Sequence, residues 1–438
     1  MRIIYFRFTL IFVLLLIAPA AWGASNSADN FSSDVASVWF DTLYDVIKSE
    51  GITPPPAARI YGVTSIALYE SVVSGTLNNE SLVGQLNGLN SLPGVKRKKK
   101  YHWPTAANSA LAETIRGIFT TLKPENAAKI DAIERQFNRQ YRQATKKNEF
   151  KKAVEHGKRV AEGILAWAST DGYDTLNNCP YVPAQVPGAW KPTPPANNPN
   201  PLQPCWGQLR PMVLTSLSTC APPVHPEFNT DPSSDFYAAA FQVYDVGINL
   251  TDEQKTIARY WADGPVATGT PAGHWIALIG QFARNDLLSL PAAAEAYARV
   301  GIAVNDAFIQ CWNDKYQYNL QRPITYIQEQ INANWTSFIV TPSFPSYSSG
   351  HSTQSGAAAF VMTDQFGIRE FTDTTHVDHG LNPPMDPRTF NSIDEAAAEA
   401  ALSRLYGGIH YSFDNNNGFA SGQCIGETIV ENVHFHRE

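Results

Sequence analysis

Three short segments in the last third of this 438-residue sequence contain the residue types that bind a tetrahedral oxyanion. They supply three cations, a hydroxyl group, a glycine amide, two imidazoles and a carboxylate. In chain order the residues are Lys315, Arg322, Ser349, Gly350, His351, Arg404, His410 and Asp414. Charged donors form the stronger class of hydrogen bonds to oxyanions. The set therefore predicts a pocket that holds such an anion with one imidazole against its central atom.

The local context of each segment adds to this prediction. Lys315 and Arg322 are seven residues apart, so two turns of one helix would bring them to the same side. Pro323 would end or bend that helix. The loop before Gly350 leads into a run of small residues, which predicts a helix whose N-terminal amides favour an anion. Glycine allows close approach of the backbone, and His351 can exchange a proton near neutral pH.

The third segment predicts an oriented histidine. Arg404 would lie on the last turn of a helix, and Gly407-Gly408 loosens the backbone before His410. Asp414 follows four residues later and can accept a hydrogen bond from one ring nitrogen of His410. That bond would fix the tautomer and leave the other nitrogen facing the pocket.

The combination resembles the superfamily of type 2 phosphatidic-acid phosphatases and vanadium-dependent haloperoxidases. Their shared pattern is Lys, six residues, Arg-Pro; then Pro-Ser-Gly-His; then Ser-Arg, five residues, His, three residues, Asp. The sequence departs from it at Ser348, where the pattern has proline. Trp312, Phe344 and the segment 407–411 are similar to the bacterial haloperoxidase branch. The matching positions are Lys315, Arg322, Pro323, Ser349, Gly350, His351, Ser403, Arg404, His410 and Asp414.

This resemblance implies a vanadate cofactor. Phosphate can also occupy the vanadate site. His410 would be the metal ligand, His351 the acid–base group, and Asp414 the partner of His410. Lys315 would also polarise bound peroxide, while Trp312 and Phe344 would line a halide pocket. The implied partners are hydrogen peroxide, a halide (iodide or bromide) and a small organic acceptor. The oxygens of the anion would be bound by Lys315, Arg322, Ser349, Gly350 and Arg404.

Two other functions remain open for the same pocket. An exported acid phosphatase would use His410 as the nucleophile of a phosphohistidine intermediate and His351 as the acid for the leaving group. A binding protein would only capture phosphate. The two imidazoles argue against the binding protein, because amides and arginine are sufficient for capture. The length of the chain and the accessory aromatic residues favour the haloperoxidase.

Composition and periodicity predict an all-α fold. The chain is 44% hydrophobic and 17% charged, enough for a large core. Apolar residues recur at helical spacing over Asp34 to Ser49 and Ala57 to Val73, with few alternating runs. Further helices are predicted at about 105–122, 125–145, 148–168, 251–263, 271–286, 291–312, 351–366, 393–406 and 418–431. Residues 170–235 are rich in proline, asparagine and tryptophan, and we expect an ordered excursion that wraps the helices. We expect residues 24–250 and a site-bearing part 251–438 to form one compact unit.

Charge and the N-terminus indicate an exported protein without a nucleic-acid partner. The formal net charge is −7, opposite to that of most nucleic-acid-binding proteins. We interpret the basic run Lys96 to Lys100 as a solvated loop. Residues 1–23 predict a signal peptide, with a basic start, an apolar run and a small-residue cleavage site. We therefore expect a periplasmic or secreted protein with no integral membrane span after cleavage.

The five cysteines and the remaining histidines lead to expectations that are structural. A disulfide among Cys179, Cys205 and Cys220 is plausible in an exported protein, although the sequence does not fix its connectivity. Cys311 and Cys424 lie in helical patterns and are expected to be buried thiols. We expect His376 and His379 in a solvent-facing loop, His434 and His436 at the surface, and His274 as a hydrogen-bonded structural side chain.

Overall fold

A computed structural model describes residues 27–96, 99–119, 121–177 and 179–437. The predicted signal peptide, residues 1–23, and two residues of the basic run, Arg97 and Lys98, lie outside the described residues. Helices make up 59% of the chain, so the all-α prediction is confirmed.

The described part of the chain contains fifteen α-helices and one two-stranded ribbon. In the ribbon, β1 (Phe371–Asp373) pairs antiparallel with β2 (Arg388–Phe390), and Phe371 lies opposite Phe390. The helices are α1 (Asp34–Glu50), α2 (Pro54–Val72), α3 (Trp103–Ile118), α4 (Pro124–Ala144), α5 (Lys147–Ala168), α6 (Tyr173–Leu176), α7 (Asp235–Ile248), α8 (Asp252–Tyr260), α9 (Thr270–Asn285), α10 (Leu290–Tyr318), α11 (Pro323–Gln330), α12 (Gly350–Phe366), α13 (Thr375–Asp378), α14 (Ile393–Tyr406) and α15 (Ser412–Asn432).

The core is built around α10, which packs against α2 on one side and α12 on another. Both α2 and α10 are buried over almost their whole length, as expected for helices that are apolar all round. Their backbones approach closely, because a Cβ at Gly301 would lie only 3.0 Å from the Cα of Gly62. The C-terminal end of α10 is thereby fixed in the interior, where Lys315 lies.

Helices α12 and α15 form the most extensive helix–helix contact among the described elements. Small residues along both helices allow this contact. A Cβ on Gly422 would come within 2.0 Å of the Thr353 carbonyl oxygen, and one on Gly356 within 2.6 Å of the Phe419 carbonyl oxygen. The N-terminal ends of both helices therefore lie side by side, and these ends carry His351 and Asp414.

The proline-rich segment 170–235 lies along the helices and is attached to α10. The buried carboxylate of Asp306 accepts hydrogen bonds from three successive backbone amides of this segment, those of Met212 (2.7 Å), Val213 (2.8 Å) and Leu214 (3.0 Å). Trp190 and Trp206 are fully buried. The segment leads directly into α7.

Two disulfides fasten this segment, and one of them corrects an expectation. Cys179 pairs with Cys205 inside the segment, whereas Cys220 pairs with Cys424 on α15. The prediction that Cys424 is a buried thiol is wrong, because its face of α15 is covered by the segment that carries Cys220. Cys311 is a buried free thiol, as predicted.

Among the described helices, none has the length and apolar character needed to cross a bilayer.

Two histidines between the second and third motifs are more buried than the sequence suggests. His376 is buried, with its Nε2 2.9 Å from the Tyr260 carbonyl oxygen, and the His379 ring stacks on Tyr44 at 3.7 Å. The expectation of a solvent-facing loop is therefore wrong for this pair, because α13 folds their rings inward. His274 is a satisfied structural side chain, as predicted, and lies between Asp263 and Asp373.

Candidate active site

The site lies where several helix ends meet: the C-terminal ends of α10 and α14 and the N-terminal ends of α11, α12 and α15. The loop 344–349 fills the space between them. A cavity of 450 Å³ opens there. Its lining includes six of the residues predicted from sequence or from the resemblance, namely Trp312, Phe344, Gly350, His351, Arg404 and His410.

Lys315 and Arg322 converge on this loop, but not through the helical spacing that the sequence suggested. Helix α10 ends at Tyr318, because Asn319 takes a left-handed conformation with φ of 48° and its amide caps the Lys315 carbonyl. Arg322 is the N-cap of α11, and Pro323 is the first residue of that helix. The prediction of two cations on one continuous helix is therefore wrong, and the chain reversal at 319–322 brings them together instead.

The Lys315 ammonium holds the loop. It donates hydrogen bonds to the carbonyl oxygens of Pro345 (3.1 Å), Ser346 (2.8 Å) and Ser348. Burial lowers the pKa of Lys315 to about 8. All three of its protons are donated to carbonyl oxygens. The ammonium must therefore release one of these oxygens before it can donate to a bound anion.

Arg322 links the loop to His410. Its Nε donates to the Phe344 carbonyl oxygen, and its Nη1 donates to the Ile409 carbonyl oxygen, each at 2.8 Å. The same Nη1 lies 3.0 Å from His410 Nε2. Its Nη2 has no hydrogen-bond partner among the described residues. Burial lowers the pKa of this guanidinium to about 10.

His410 is held as a neutral imidazole. Its Nδ1 lies 2.8 Å from Asp414 Oδ2, the contact that the four-residue spacing predicts. Because Nδ1–H donates to the carboxylate, Nε2 keeps its lone pair toward Arg322 and the cavity. Burial, and then the cations Arg322, Lys315 and Arg404, keep the pKa of His410 well below its usual value.

Asp414 is itself held in place by two donors. The Ser346 hydroxyl donates to its Oδ2 at 2.5 Å, and the Tyr411 amide does so at 3.3 Å. Burial raises the pKa of Asp414 to about 6. The turn before His410 depends on Gly408, whose φ is +74° and whose missing Cβ leaves room for Trp335.

Arg404 and His351 face each other across the cavity wall near Trp261. Arg404 Nη1 donates to the Trp261 carbonyl oxygen at 2.8 Å, while its Nε has no partner among the described residues. Burial lowers the pKa of Arg404 to about 9, against the opposing effect of Asp263. His351 lies on the first turn of α12, and burial together with Arg404 keeps its pKa well below the usual value.

Ser349 and Gly350 form the start of α12. Ser349 is the N-cap, and its Oγ accepts hydrogen bonds from the Ser352 amide (3.4 Å) and the Ser352 hydroxyl (2.9 Å). A Cβ on Gly350 would lie 3.4 Å from Trp312 and 3.6 Å from Phe308. The amides of a first helical turn have no intrahelical acceptor, so this end is suited to an anion.

The unsatisfied polar atoms test whether an oxyanion fits here. Among the predicted site residues, three buried nitrogens have no hydrogen-bond partner in the described part of the chain: Arg322 Nη2, Arg404 Nε and His351 Nε2. The two guanidinium nitrogens are donors, and buried donors are almost always hydrogen-bonded, so they indicate a missing acceptor. The neutral His410 adds a lone pair on Nε2 that can coordinate a metal centre. This set fits a small tetrahedral oxyanion with a metal at its centre.

The aromatic wall lies beside the Lys315 ammonium. The Trp312 and Phe344 ring centroids are 5.0 Å apart, and they lie 5.6 Å and 5.1 Å from Lys315 Nζ.

Two functional neighbours were missed from sequence. They are Ser346, which donates a hydrogen bond to Asp414, and Asp263 in the cavity wall. Ser346 stands only three residues before Ser349, so its place in the loop was the available signal. No sequence signal marked Asp263.

Comparisons with known proteins identify relatives of the part of the chain that carries this site. Residues 295–438 match the family model described as the VCPO second helical-bundle domain. Vanadium chloroperoxidase of Curvularia inaequalis is 24% identical over 221 residues, which are 37% of this chain and 36% of that protein. Vanadium-dependent bromoperoxidase of Ascophyllum nodosum is 35% identical over 94 residues, 19% of this chain and 17% of that protein. The matches thus span well under half of either curated relative.

Solved structures extend the likeness over the whole fold. A bacterial vanadium-dependent iodoperoxidase superposes with a TM-score of 0.86 and 33% identity, covering 93% of this chain and 98% of that one. A holo-type bacterial vanadium-dependent chloroperoxidase has the same fold, with a TM-score of 0.66 and 16% identity over 87% of this chain and 93% of the other. Sequence motifs, site geometry and near-complete structural coverage agree, and the chain belongs to the vanadium-dependent haloperoxidase family.

Proposed function

We propose that this chain is a vanadate-dependent peroxidase that oxidises iodide or bromide with hydrogen peroxide. One halide ion, one peroxide molecule and one proton would give a hypohalous acid and water. The hypohalous acid would then halogenate a small organic acceptor. Membership of the family and the 33% identity with a bacterial iodoperoxidase support this assignment.

The observation that carries the proposal is the set of unsatisfied donors around His410 Nε2. His410 would coordinate vanadium through that nitrogen, while Arg322 and Arg404 would donate hydrogen bonds to the oxygens. The Ser349 hydroxyl and the Gly350 amide would complete the cradle. Phosphate has the same shape and charge, so it can occupy the same site. When bound, vanadate supplies a Lewis acid that activates peroxide without a change of oxidation state.

His351 would be the acid–base group of the reaction. Its pKa is held below the usual value by burial and by Arg404, so the imidazole is neutral at neutral pH. The Nε2 atom has no partner among the described residues and belongs to a ring that lines the cavity. A neutral imidazole in this position can take a proton from incoming peroxide and return it to a departing oxygen.

The aromatic wall favours the larger halides. Trp312 and Phe344 would remove water from a halide that approaches near Lys315. The cost of removing that water falls as the ion becomes larger, which favours iodide and then bromide over chloride. Lys315 would polarise peroxide in this environment once it releases one of the loop carbonyls.

We also propose that the protein works outside the cytoplasm. The predicted signal peptide at residues 1–23 supports export. The two disulfides are consistent with an oxidising compartment.

The test is a steady-state assay of the purified protein with iodide, bromide and chloride, with and without added vanadate. We expect peroxide-dependent oxidation of iodide and bromide only after vanadate is added. His351→Ala should lower the rate about 10²- to 10⁴-fold, whereas His434→Ala, at the exposed C-terminal end, should not change it. Turnover of phosphate esters without halide oxidation would instead favour the phosphatase with a phosphorylated His410.

A further inference from the structure

Residue 348 is the position at which this chain departs from the shared motif, and the structure shows what replaces the proline. Ser348 is fully buried, and its hydroxyl donates to Asp314 Oδ2 at 3.2 Å. Its carbonyl oxygen accepts a hydrogen bond from the Lys315 ammonium and another from the Cys311 thiol at 3.4 Å. Both polar groups of Ser348 are thus tied to one face of α10.

Asp314 is the unusual member of this group. Its side chain is buried, and it forms no ion pair with any cationic side chain in the described ranges. Its two oxygens are used by Ser348 and by the Gln310 amide, which donates to Oδ1 at 2.9 Å. Burial raises the pKa of Asp314 to about 7. A buried carboxylate without a cation is costly, so simple packing does not account for it.

The position of the contact gives it a role. Proline restricts its own φ and lacks an amide donor, which stiffens a loop. Serine lacks this restriction, and Ser349 and Gly350, which offer a hydroxyl and an amide to the oxyanion, come directly after it. A hydrogen bond from the Ser348 hydroxyl to a side chain of α10 can supply the missing stiffness, because it ties the loop to a helix that is buried over almost its whole length.

We propose that Asp314 is a positioning residue of the oxyanion site. Through the Ser348 hydroxyl, it holds the start of α12 in the conformation that other members of the superfamily secure with a proline. The inference rests on the proposed function only in requiring that this loop binds an oxyanion. Asp314 itself touches neither the anion nor the reacting atoms.

Four variants test the link: Ser348→Ala, Asp314→Asn, Ser348→Pro and the double variant Ser348→Pro/Asp314→Asn. Phosphate binding is measured by calorimetry, and hydrogen–deuterium exchange is measured on the peptide that covers 345–352. Ser348→Ala and Asp314→Asn should each weaken phosphate binding about tenfold and speed exchange of the loop. Ser348→Pro should keep wild-type affinity, and Asp314→Asn should have no further effect in that background.

Asp306→Asn is the matched control. Asp306 is a buried carboxylate on the same helix, and it binds the amides of Met212, Val213 and Leu214 rather than the oxyanion loop. Its substitution should lower the melting temperature and leave both phosphate affinity and loop exchange unchanged. This control separates a local positioning effect from the general cost of altering a buried acid on α10.

Two results would overturn the inference. One is a Ser348→Ala protein with wild-type affinity and wild-type exchange. The other is an Asp314→Asn effect that persists beside Ser348→Pro, since Asp314 would then act through the Lys315 charge. If Ser348→Pro does not fold, the double variant Ser348→Ala/Asp314→Asn decides the question. Because both residues belong to one contact, the double variant should lose no more phosphate affinity than either single variant. Neither measurement requires halide oxidation, so a failure of the proposed function would appear separately.

Discussion

At the scale of single residues, the site depends on the placement of protons. Asp414 accepts a hydrogen bond from His410 Nδ1–H, which leaves a lone pair on Nε2, next to Arg322. Burial and three cations keep the ring neutral. His351, the other imidazole, is also neutral but donates to nothing through Nε2 among the described residues. We therefore propose different roles for two chemically identical side chains, with His410 as a ligand and His351 as a proton carrier.

Asp414→Asn should separate these parts. An asparagine amide can donate to Nδ1, which would move the His410 proton to Nε2 and remove the lone pair. Loss of such a supporting contact typically costs about 10- to 100-fold in metal affinity. We expect the vanadate concentration for half-maximal activity to rise by that factor. Asp378→Asn, which changes an exposed side chain of α13, is the control and should leave this concentration unchanged; an unchanged value for Asp414→Asn would contradict the tautomer argument.

The same carboxylate predicts a pH dependence. Burial raises the pKa of Asp414 to about 6, so the carboxylate becomes protonated as the pH falls through that value. The protonated group is a poorer acceptor for the His410 Nδ1 proton. Vanadate affinity of the wild type should therefore weaken below about pH 6. Vanadate affinity measured as a function of pH checks this prediction. The Asp414→Asn variant should not show this weakening below about pH 6.

At the scale of secondary-structure elements, the site is made of helix ends, which explains what the sequence could predict. Helical periodicity located α1, α2, α9, α12 and α14 to within a few residues. The local geometry at His410 and Asp414 followed from spacing, because both groups lie on one short stretch. The four-residue spacing reports a local contact, and local contacts are what a sequence pattern encodes.

Contacts between distant segments could not be predicted in the same way. The break at Asn319 was missed, because seven-residue spacing agrees with a continuous helix as well as with a reversal. Helix α7 and helix α11 were not assigned, and Asp263 was not noticed. The use of all three Lys315 protons by loop carbonyls depends on tertiary packing. Such pairings are set by how helices pack, which one sequence does not specify.

His274 ties three elements behind the cavity and leads to a stability prediction. Its Nδ1 is 2.9 Å from Asp263 in the cavity wall, and its Nε2 is 2.7 Å from Asp373 of β1. Burial alone would lower the pKa of His274, but the two carboxylates outweigh it and raise the pKa to about 10. The protonated ring thus links α9, the wall of the site and the β-ribbon.

Because the folded pKa of His274 lies above its unfolded value, this contribution is complete below about pH 6.5 and disappears as the pH rises through about 10. The shift corresponds to a loss on the order of 5 kcal/mol over that window. We expect the melting temperature to fall between pH 7 and pH 10, and His274→Gln to be less stable at pH 7 with a shallower fall. His379→Gln should keep the wild-type slope, and equal slopes for both variants would refute the prediction.

At the scale of the whole molecule, the proline-rich segment links two helices of the C-terminal part of the chain, α10 and α15. It is fixed to α10 through Asp306 and to α15 through Cys220–Cys424. Helix α15 packs against α12, whose N-terminal end carries Gly350 and His351. The disulfide between distant segments therefore braces the helix pair that builds the site, whereas Cys179–Cys205 closes a loop only within the segment.

The two disulfides should differ in their effect when removed. The pairs are separated by 204 residues for Cys220–Cys424 and by 26 for Cys179–Cys205. A cross-link restricts the unfolded chain more when it closes a longer loop, which corresponds to about 5 kcal/mol for the first and about 3.5 kcal/mol for the second. We expect the double serine variant at 220 and 424 to have the lower melting temperature of the two and to lose vanadate affinity on heating first. Calorimetry of both variants beside the wild type measures this. A larger loss for the 179 and 205 variant would show that the segment, rather than its link to α15, limits the stability of the fold.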